Sequence, residues 1–292
     1  MTQKHRARSL LELDERVAAL FVPEKMQQGM ALRLRPTDVV ITPYSKCGTT
    51  WTQQIVHTLR TRGDMDFDDI SRVVPWIEVS PMLGLDLDAQ QKAQPRAFKS
   101  HLGWDLVPKG GRYIVVVRNP ADAAVSLFKF QEGWFLQSGV VSIDDFVEHA
   151  VLSSRRYYHH LKSWWPRRSD ADVLFLVYET MLSDPATAIR RIARFIGIAL
   201  DAELLALTLE HSSKDFMLKH KDRFDDAILR KFSEEKAGLP AGSDSAKVRA
   251  DQHGGGVALS DKTRARLAHV WQEEITEPLG FADYEALITE VR

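Results

Sequence analysis

The sequence is short of three things, and each shortage excludes something. Its 292 residues include one cysteine, Cys47, so no intrachain disulfide can form and the thiol count fits a reducing compartment. It has no long apolar run. In the N-terminal stretch MTQKHRARSLLELDERVAALFVP, charged residues interrupt Leu10, Leu11, Leu13, Val17, Leu20 and Phe21. That spacing belongs to an amphipathic helix rather than a signal peptide, and no window reaches the apolar length of a membrane span. Finally, there is no charge excess: Lys+Arg 39 against Asp+Glu 40 gives a net charge of −1. Nucleic acid and acidic membrane surfaces are therefore not expected partners, and basic residues that matter must act locally. These features describe a soluble, cytoplasmic protein with a small-molecule partner.

What is present is an alternation of elements. Val39–Ile41, Ala97–Ser100, Tyr113–Val117 and Val173–Tyr178 are short runs of buried-strand type. Helical patterns lie between or after them at Thr50–Arg60, Ala121–Phe130, Ile143–Trp165, Pro185–Ile196 and Leu259–Ile275. Asp184-Pro185 and Ser260-Asp261 supply helix starts. Strands alternating with helices predict an α/β fold: a single domain with a mostly parallel central sheet flanked by helices. The ligand is expected beyond the carboxyl ends of the strands. No internal repeat or composition break marks a second domain. Lys236–Gly256, rich in Gly, Ser and Ala, predicts a long flexible loop, either a lid or a plain connection.

Three stretches carry chemistry. After the first strand comes Pro43-Tyr44-Ser45-Lys46-Cys47-Gly48-Thr49-Thr50-Trp51. A strand followed by Lys, Gly, Thr, Thr and a helix turns backbone N–H groups, hydroxyls and a charge toward an anion at the helix N-terminus. This is a P-loop-like arrangement, but Lys46 precedes the glycine, unlike the order in a Walker nucleotide loop. The second stretch, Phe98-Lys99-Ser100-His101-Leu102, runs off a strand end. In extended chain Lys99 and His101 face the same side, and the lysine favours the neutral imidazole that a general base requires. In the third, Val115-Val116-Val117-Arg118-Asn119-Pro120, Arg118 ends a strand and Ser126 follows two helical turns later. An arginine and a hydroxyl there suit a second anion. A structural reading remains open for each alone: an incidental turn, a bystander histidine, a salt-bridged arginine.

Taken together the stretches resemble the cytosolic sulfotransferase family, enzymes that use 3′-phosphoadenosine-5′-phosphosulfate (PAPS) and release adenosine 3′,5′-bisphosphate (PAP). PYSKCGTTW is similar to that family's YPKSGTTW, FKSHL to its KTHL, and VVVRNPADAAVS to its RNPKDVAVS. Pro75-Trp76-Ile77-Glu78, His160–Trp165, Tyr178-Glu179 and Asp184-Pro185 resemble further family positions in the same order. The resemblance implies a phosphosulfate loop of Lys46, Cys47, Gly48, Thr49 and Thr50. It implies Trp51 and Tyr178 at adenine, and Arg118 and Ser126 on the 3′-phosphate. It also implies His101 as general base, with Lys46 and Lys99 stabilising the transferring group, and no required metal. Ser212 and Ser213 stand in a stretch similar to the family's HTSF, with Lys214 where an aromatic is usual. Arg249 begins a stretch similar to RKGxxGDWK, but Ala250 and Asp251 replace its lysine and glycine, which predicts weaker donor binding.

Phe21, Trp76, Phe128, Trp134 and Phe135 fall where that family forms its acceptor pocket, next to His101. The implied acceptor is a hydroxyl of a small hydrophobic phenol, alcohol or glycolipid. The family's dimer motif is not found, leaving monomer or homodimer. Cys47, beside Lys46 and a helix N-terminus, is expected to have a lowered thiol pKa. An ATP- and Mg²⁺-dependent phosphotransferase on the same scaffold, or a non-catalytic PAP-binding protein, are the alternatives.

Overall fold

The computed structural model describes residues 4–245, 247–249 and 259–291. Four strands form its sheet: β1 (Val39–Ile41), β2 (Ala97–Lys99), β3 (Arg112–Val117) and β4 (Val173–Val177). All pairings are parallel, in the order β2-β1-β3-β4. Strand periodicity explains why this sheet is buried on both sides. Val40, Tyr113, Val115, Val117 and Phe175 pack into one apolar cluster, whereas Val39, Ile41, Ile114, Val116 and Leu176 pack into the other. Alternate side chains point to opposite faces, so a continuous apolar strand feeds two cores at once.

The chain leaves β1 toward β2 on one side and then crosses to β3 on the other. The carboxyl ends of β1 and β3 are therefore the switch point where an α/β sheet opens a crevice. At the opposite end, Arg96 donates to both carboxylate oxygens of Asp38, through Nε at 3.0 Å and Nη2 at 2.5 Å. Both side chains are buried. This fork ties the starts of β1 and β2 together in a geometry that only arginine offers.

The helix expected from Pro185 runs Pro185–Ile196, with Asp184 accepting from the Thr187 N–H and Gly197 ending it in the left-handed region. The first phosphate-loop helix spans Thr49–Thr61, and the one after β3 extends through Pro120–Trp134. The N-terminal amphipathic helix is Leu10–Ala18, capped by Ser9. Two expectations are corrected. The pattern over Ile143–Trp165 is not one helix: it runs Ile143–Val147, widens to π-type turns over Glu148–Ser153, and breaks at Arg155 (φ 56°) before Arg156–Trp164. Arg155 turns out to bond Glu273 at 2.8 Å, a tertiary contact that local periodicity does not encode. Likewise β4 stops at Val177, and Tyr178 opens a short helix. The loop expected over Lys236–Gly256 begins where the helix Ala227–Lys236 ends; residues 246 and 250–256 lie outside the described residues.

Candidate active site

The loop after β1 is shaped by two left-handed residues, Lys46 (φ 68°) and Gly48 (φ 89°). Glycine at 48 has a second reason: a Cβ there would meet Tyr178 Cδ2 at 2.8 Å. The helix that follows leaves its first N–H groups without intrahelical partners, and its dipole favours negative charge in front of them. Arg118 Nη1 donates to the Lys46 carbonyl at 2.9 Å, and its guanidinium lies over the Tyr178 ring at 4.5 Å. The loop after β1 and the end of β3 are thus fastened to each other. Thr49 Oγ1, Trp51 Nε1 and Arg118 Nε are buried with no hydrogen-bond partner among the described residues. Other buried polar atoms, among them Gln53 Oε1 and Tyr158 Oη, also have no such partner, but Thr49, Trp51 and Arg118 line one cavity, where these groups fit an anionic, aromatic ligand supplied from outside the chain.

One cavity of about 490 Å³ gathers nearly all the residues singled out from the sequence. Lys46, Gly48, Thr49, Thr50 and Trp51 line it from the loop and helix start. Arg118, Ser126, Tyr178, Ser212, Ser213 and Arg249 join them. Ser212 Oγ also donates to the Thr208 carbonyl at 2.6 Å. Trp51 meets Tyr178 edge-on at 5.7 Å. Lys99 and His101 line the same cavity, as do Phe21, Trp76, Trp134 and Phe135.

Lys99 is held by a short parallel bridge to Trp76, in which the Lys99 N–H donates to the Pro75 carbonyl at 2.8 Å and the Ile77 N–H to the Lys99 carbonyl at 2.9 Å. Its ammonium sits over the Trp76 ring at 3.7 Å, a cation–π contact. Burial pushes its pKa down to about 7. His101 packs edge-on against the same Trp76 ring, at 5.1 Å between ring centres. Its backbone N–H donates to Glu78 Oε1 at 2.7 Å. Its Nδ1 lies 2.8 Å from the Pro43 carbonyl; a carbonyl only accepts, so Nδ1 carries the proton and Nε2 is the basic nitrogen. Burial, reinforced by the Lys99 charge, holds the imidazole pKa well below its usual value. Lys46 is likewise pushed well below the lysine range, by burial first and then by the charges of Lys247 and Arg249. The site crowds basic side chains around one neutral imidazole.

Two sequence expectations are not brought to the cavity. Cys47 is fully buried beneath the loop: its N–H donates to the Tyr44 carbonyl at 3.2 Å, and its thiol does not line the cavity. Burial pushes the thiol up to about 12 despite the nearby Arg118 and Lys46 charges, which corrects the expected lowering; desolvation outweighs the cations once no solvent reaches the sulfur. Phe128 points to the core, 5.4 Å from the Phe146 ring. The helix Pro120–Trp134 instead offers the cavity Leu127, Phe130, Gln131 and Trp134, one face at helical spacing. That spacing could have identified Phe130, whose ring sits 4.3 Å from Lys46 Nζ. Asp226 and Lys247 also line the cavity, and no local sequence signal distinguishes them.

A phosphate-type loop, an arginine at the neighbouring strand end and a lysine–histidine pair, all turned onto one cavity, define a P-loop-like transferase of anionic groups. The chain belongs to the sulfotransferase domain family, whose profile matches residues 36–247. It is similar to sulfotransferase 1B1 of Canis lupus familiaris, 32% identical over 198 residues that cover 63% of this chain and 67% of the relative. Sulfotransferase 1 family member D1 of Rattus norvegicus is 30% identical over 209 residues, covering 67% and 71%. Two solved structures share the fold. Retinol dehydratase in complex with androsterone and inactive cofactor PAP has a TM-score of 0.67 at 21% identity, over 92% of this chain and 95% of that one. Mouse sulfotransferase SULT7A1 complexed with PAP has a TM-score of 0.66 at 20% identity, over 90% and 92%. The family and the α/β fold expected from the motifs are thus established, and with them PAPS-dependent sulfuryl transfer as the class of reaction.

Proposed function

We propose that the protein transfers the PAPS sulfuryl group to a hydroxyl on a small, largely apolar acceptor, with His101 as general base and without a metal. The observation that carries this reading is the His101 ring: Nδ1 is committed to the Pro43 carbonyl, so Nε2 is left as a basic nitrogen on a ring that lines the cavity. A lowered pKa keeps that nitrogen unprotonated at physiological pH, as proton abstraction from a hydroxyl demands. Lys46 and Lys99 place positive charge where negative charge builds up on the transferring group and on the leaving phosphate. Thr49, Thr50 and the helix N-terminus hold the 5′ end of the donor, Arg118 and Ser126 its 3′-phosphate, and Trp51 with Tyr178 its adenine. Ser212 and Arg249 add contacts at the same end. The donor supplies an activated sulfuryl group and a leaving group that needs no protonation.

The apolar lining, with Phe21, Phe130, Trp134 and Phe135, supports a phenol, a hydrophobic alcohol or a glycolipid as acceptor. Among the described residues no helix is long and apolar enough to cross a membrane; we assign the protein to the cytoplasm, as a monomer or homodimer acting on dissolved acceptors. The test is thermal stabilisation by PAP, by ADP and by ATP·Mg²⁺, each without acceptor. Stabilisation by PAP but not by the others is the expected result and confirms a 3′-phosphate site. Stabilisation by ATP·Mg²⁺ alone would replace this reading with a phosphotransferase. PAP binding without turnover on any hydroxyl acceptor would leave a PAP-binding protein.

A further inference from the structure

A carboxylate inside an anion-binding cavity needs an explanation, because it repels the ligand that the cavity is built to hold. Asp226 is such a carboxylate: it lines the cavity and is 3% exposed. Its Oδ1 lies 4.0 Å from Lys99 Nζ, and its Oδ2 pairs with Lys247. We propose that Asp226 is a positioning residue for sulfuryl transfer, an internal counter-ion that keeps Lys99 charged and in place while the donor site is empty. The role given to Lys99 rests on the reading above.

Asp226 is itself held rigidly. It adopts a left-handed backbone conformation (φ 50°, ψ 43°) just before the helix Ala227–Lys236, a conformation that aspartate tolerates better than most residues and that is stored preferentially at functional sites. Its carbonyl accepts from the Arg230 N–H at 2.8 Å. Two residues on, the Ile228 N–H donates to Asp69 Oδ2 at 3.1 Å, and Asp69 Oδ1 accepts from Ser71 at 2.8 Å. The turn that carries the carboxylate is therefore pinned to the segment that precedes Trp76, the residue under Lys99.

The charges around Lys99 come from four directions. Asp226 and Lys247 face it from the segment after residue 224, and Glu78 and Asp69 from the chain before β2. Lys46 interacts with it from the loop after β1, and His101 from the end of β2. Burial depresses the Lys99 pKa most, and Asp226 is the strongest group that raises it. Asp226 itself stays ionised: burial would raise its pKa, but Lys247, Lys99 and Lys46 outweigh burial and bring it below the usual carboxylate range. Without this carboxylate the cations would face one another across the cavity, and Lys99, already near neutrality, would surrender its proton more readily. The incoming donor then supplies the negative charge that the empty site obtains from Asp226.

The test is a ¹³C NMR titration of the lysine side chains in the full-length protein, with the Lys99 resonance assigned by its loss in Lys99→Arg. In Asp226→Asn, which keeps the shape, the Lys99 titration should move to lower pH by about one unit or more, as expected for loss of an opposite charge at this distance. Asp226→Glu should restore most of it. A merely structural role would lower the melting temperature without displacing that titration. An unmoved Lys99 titration in a folded Asp226→Asn variant overturns the proposal, whatever its thermal stability. PAP stabilisation of the unsubstituted protein is measured alongside. Its failure would fell the sulfuryl-transfer reading and the catalytic purpose of the pair with it, whereas a failed titration with PAP binding intact would fell the pair alone.

Discussion

The cations Lys46, Lys99 and Arg118 line the cavity from strand ends, whereas much of the apolar lining is carried by helices and by the chain's N-terminal segment. Lys46, Gly48, Thr49 and Arg118 follow β1 and β3 directly, and Lys99 and His101 follow the same rule at β2. Their positions are fixed by a parallel sheet buried on both faces and by short bonds such as Arg118 to the Lys46 carbonyl. Val17, Leu20 and Phe21 reach the cavity from the N-terminal helix and the residues just after it. That helix is fastened in part by Arg16, which donates to the carbonyls of Ala237 at 2.6 Å and Gly238 at 3.2 Å. The contrast separates two tasks. Charge must be placed to within a fraction of an ångström to lower a barrier, while apolar contact area has only to exclude water and fill space, and can be supplied by elements added around a fixed sheet.

Three substitutions break or sharpen that contrast. The largest effect is expected from His101→Ala, on the sheet-anchored side: turnover should fall by roughly two to four orders of magnitude, the range for loss of a general base, with PAP affinity unchanged by calorimetry. Undiminished turnover would remove His101 from the chemistry. Arg118→Ala should come next, weakening PAP by roughly 10- to 150-fold, equivalent to one charge-assisted hydrogen bond of about 1.5–3 kcal/mol. Equal affinity in that variant would move the 3′-phosphate elsewhere. The smallest effect belongs to the helical side. Phe21→Ala should raise the acceptor KM by roughly 5- to 30-fold, for about 1–2 kcal/mol of lost apolar burial, and leave PAP-induced stabilisation as it is. If Phe21→Ala weakens PAP as much as Arg118→Ala does, the two linings are not separate and the contrast fails.

The legibility of the sequence follows the same division. Pro185–Ile196 was readable to the residue because its start and stop signals, Asp184, Pro185 and Gly197, are local. The strand Val39–Ile41 and the loop after it were readable because a phosphate-type loop concentrates its chemistry in a few adjacent residues. The break at Arg155 was not, since it is bound up with contacts to Glu273 and Glu274 more than a hundred residues further along the chain. Cys47 was misread for a related reason: its neighbours in sequence are a lysine and a helix N-terminus, but its neighbours in space leave no room for solvent, and desolvation decides its acidity. Asp226 and Lys247 gave no signal because an acidic turn and a lysine in a small-residue stretch are common. Only the folded chain brings them against Lys99.

The close approach between Gly48 and Tyr178 carries a consequence for how the protein can change over time. With tyrosine at 178, any side chain at 48 begins by overlapping the ring, and the positive φ penalises it again. Replacing the tyrosine first would open the space, but would also strip the Arg118 guanidinium of the ring it rests on. Neither position can change by itself without disturbing the loop after β1 or the seat of Arg118. The outcome of a change at either of these two residues, far apart in the chain, is therefore conditioned on the other.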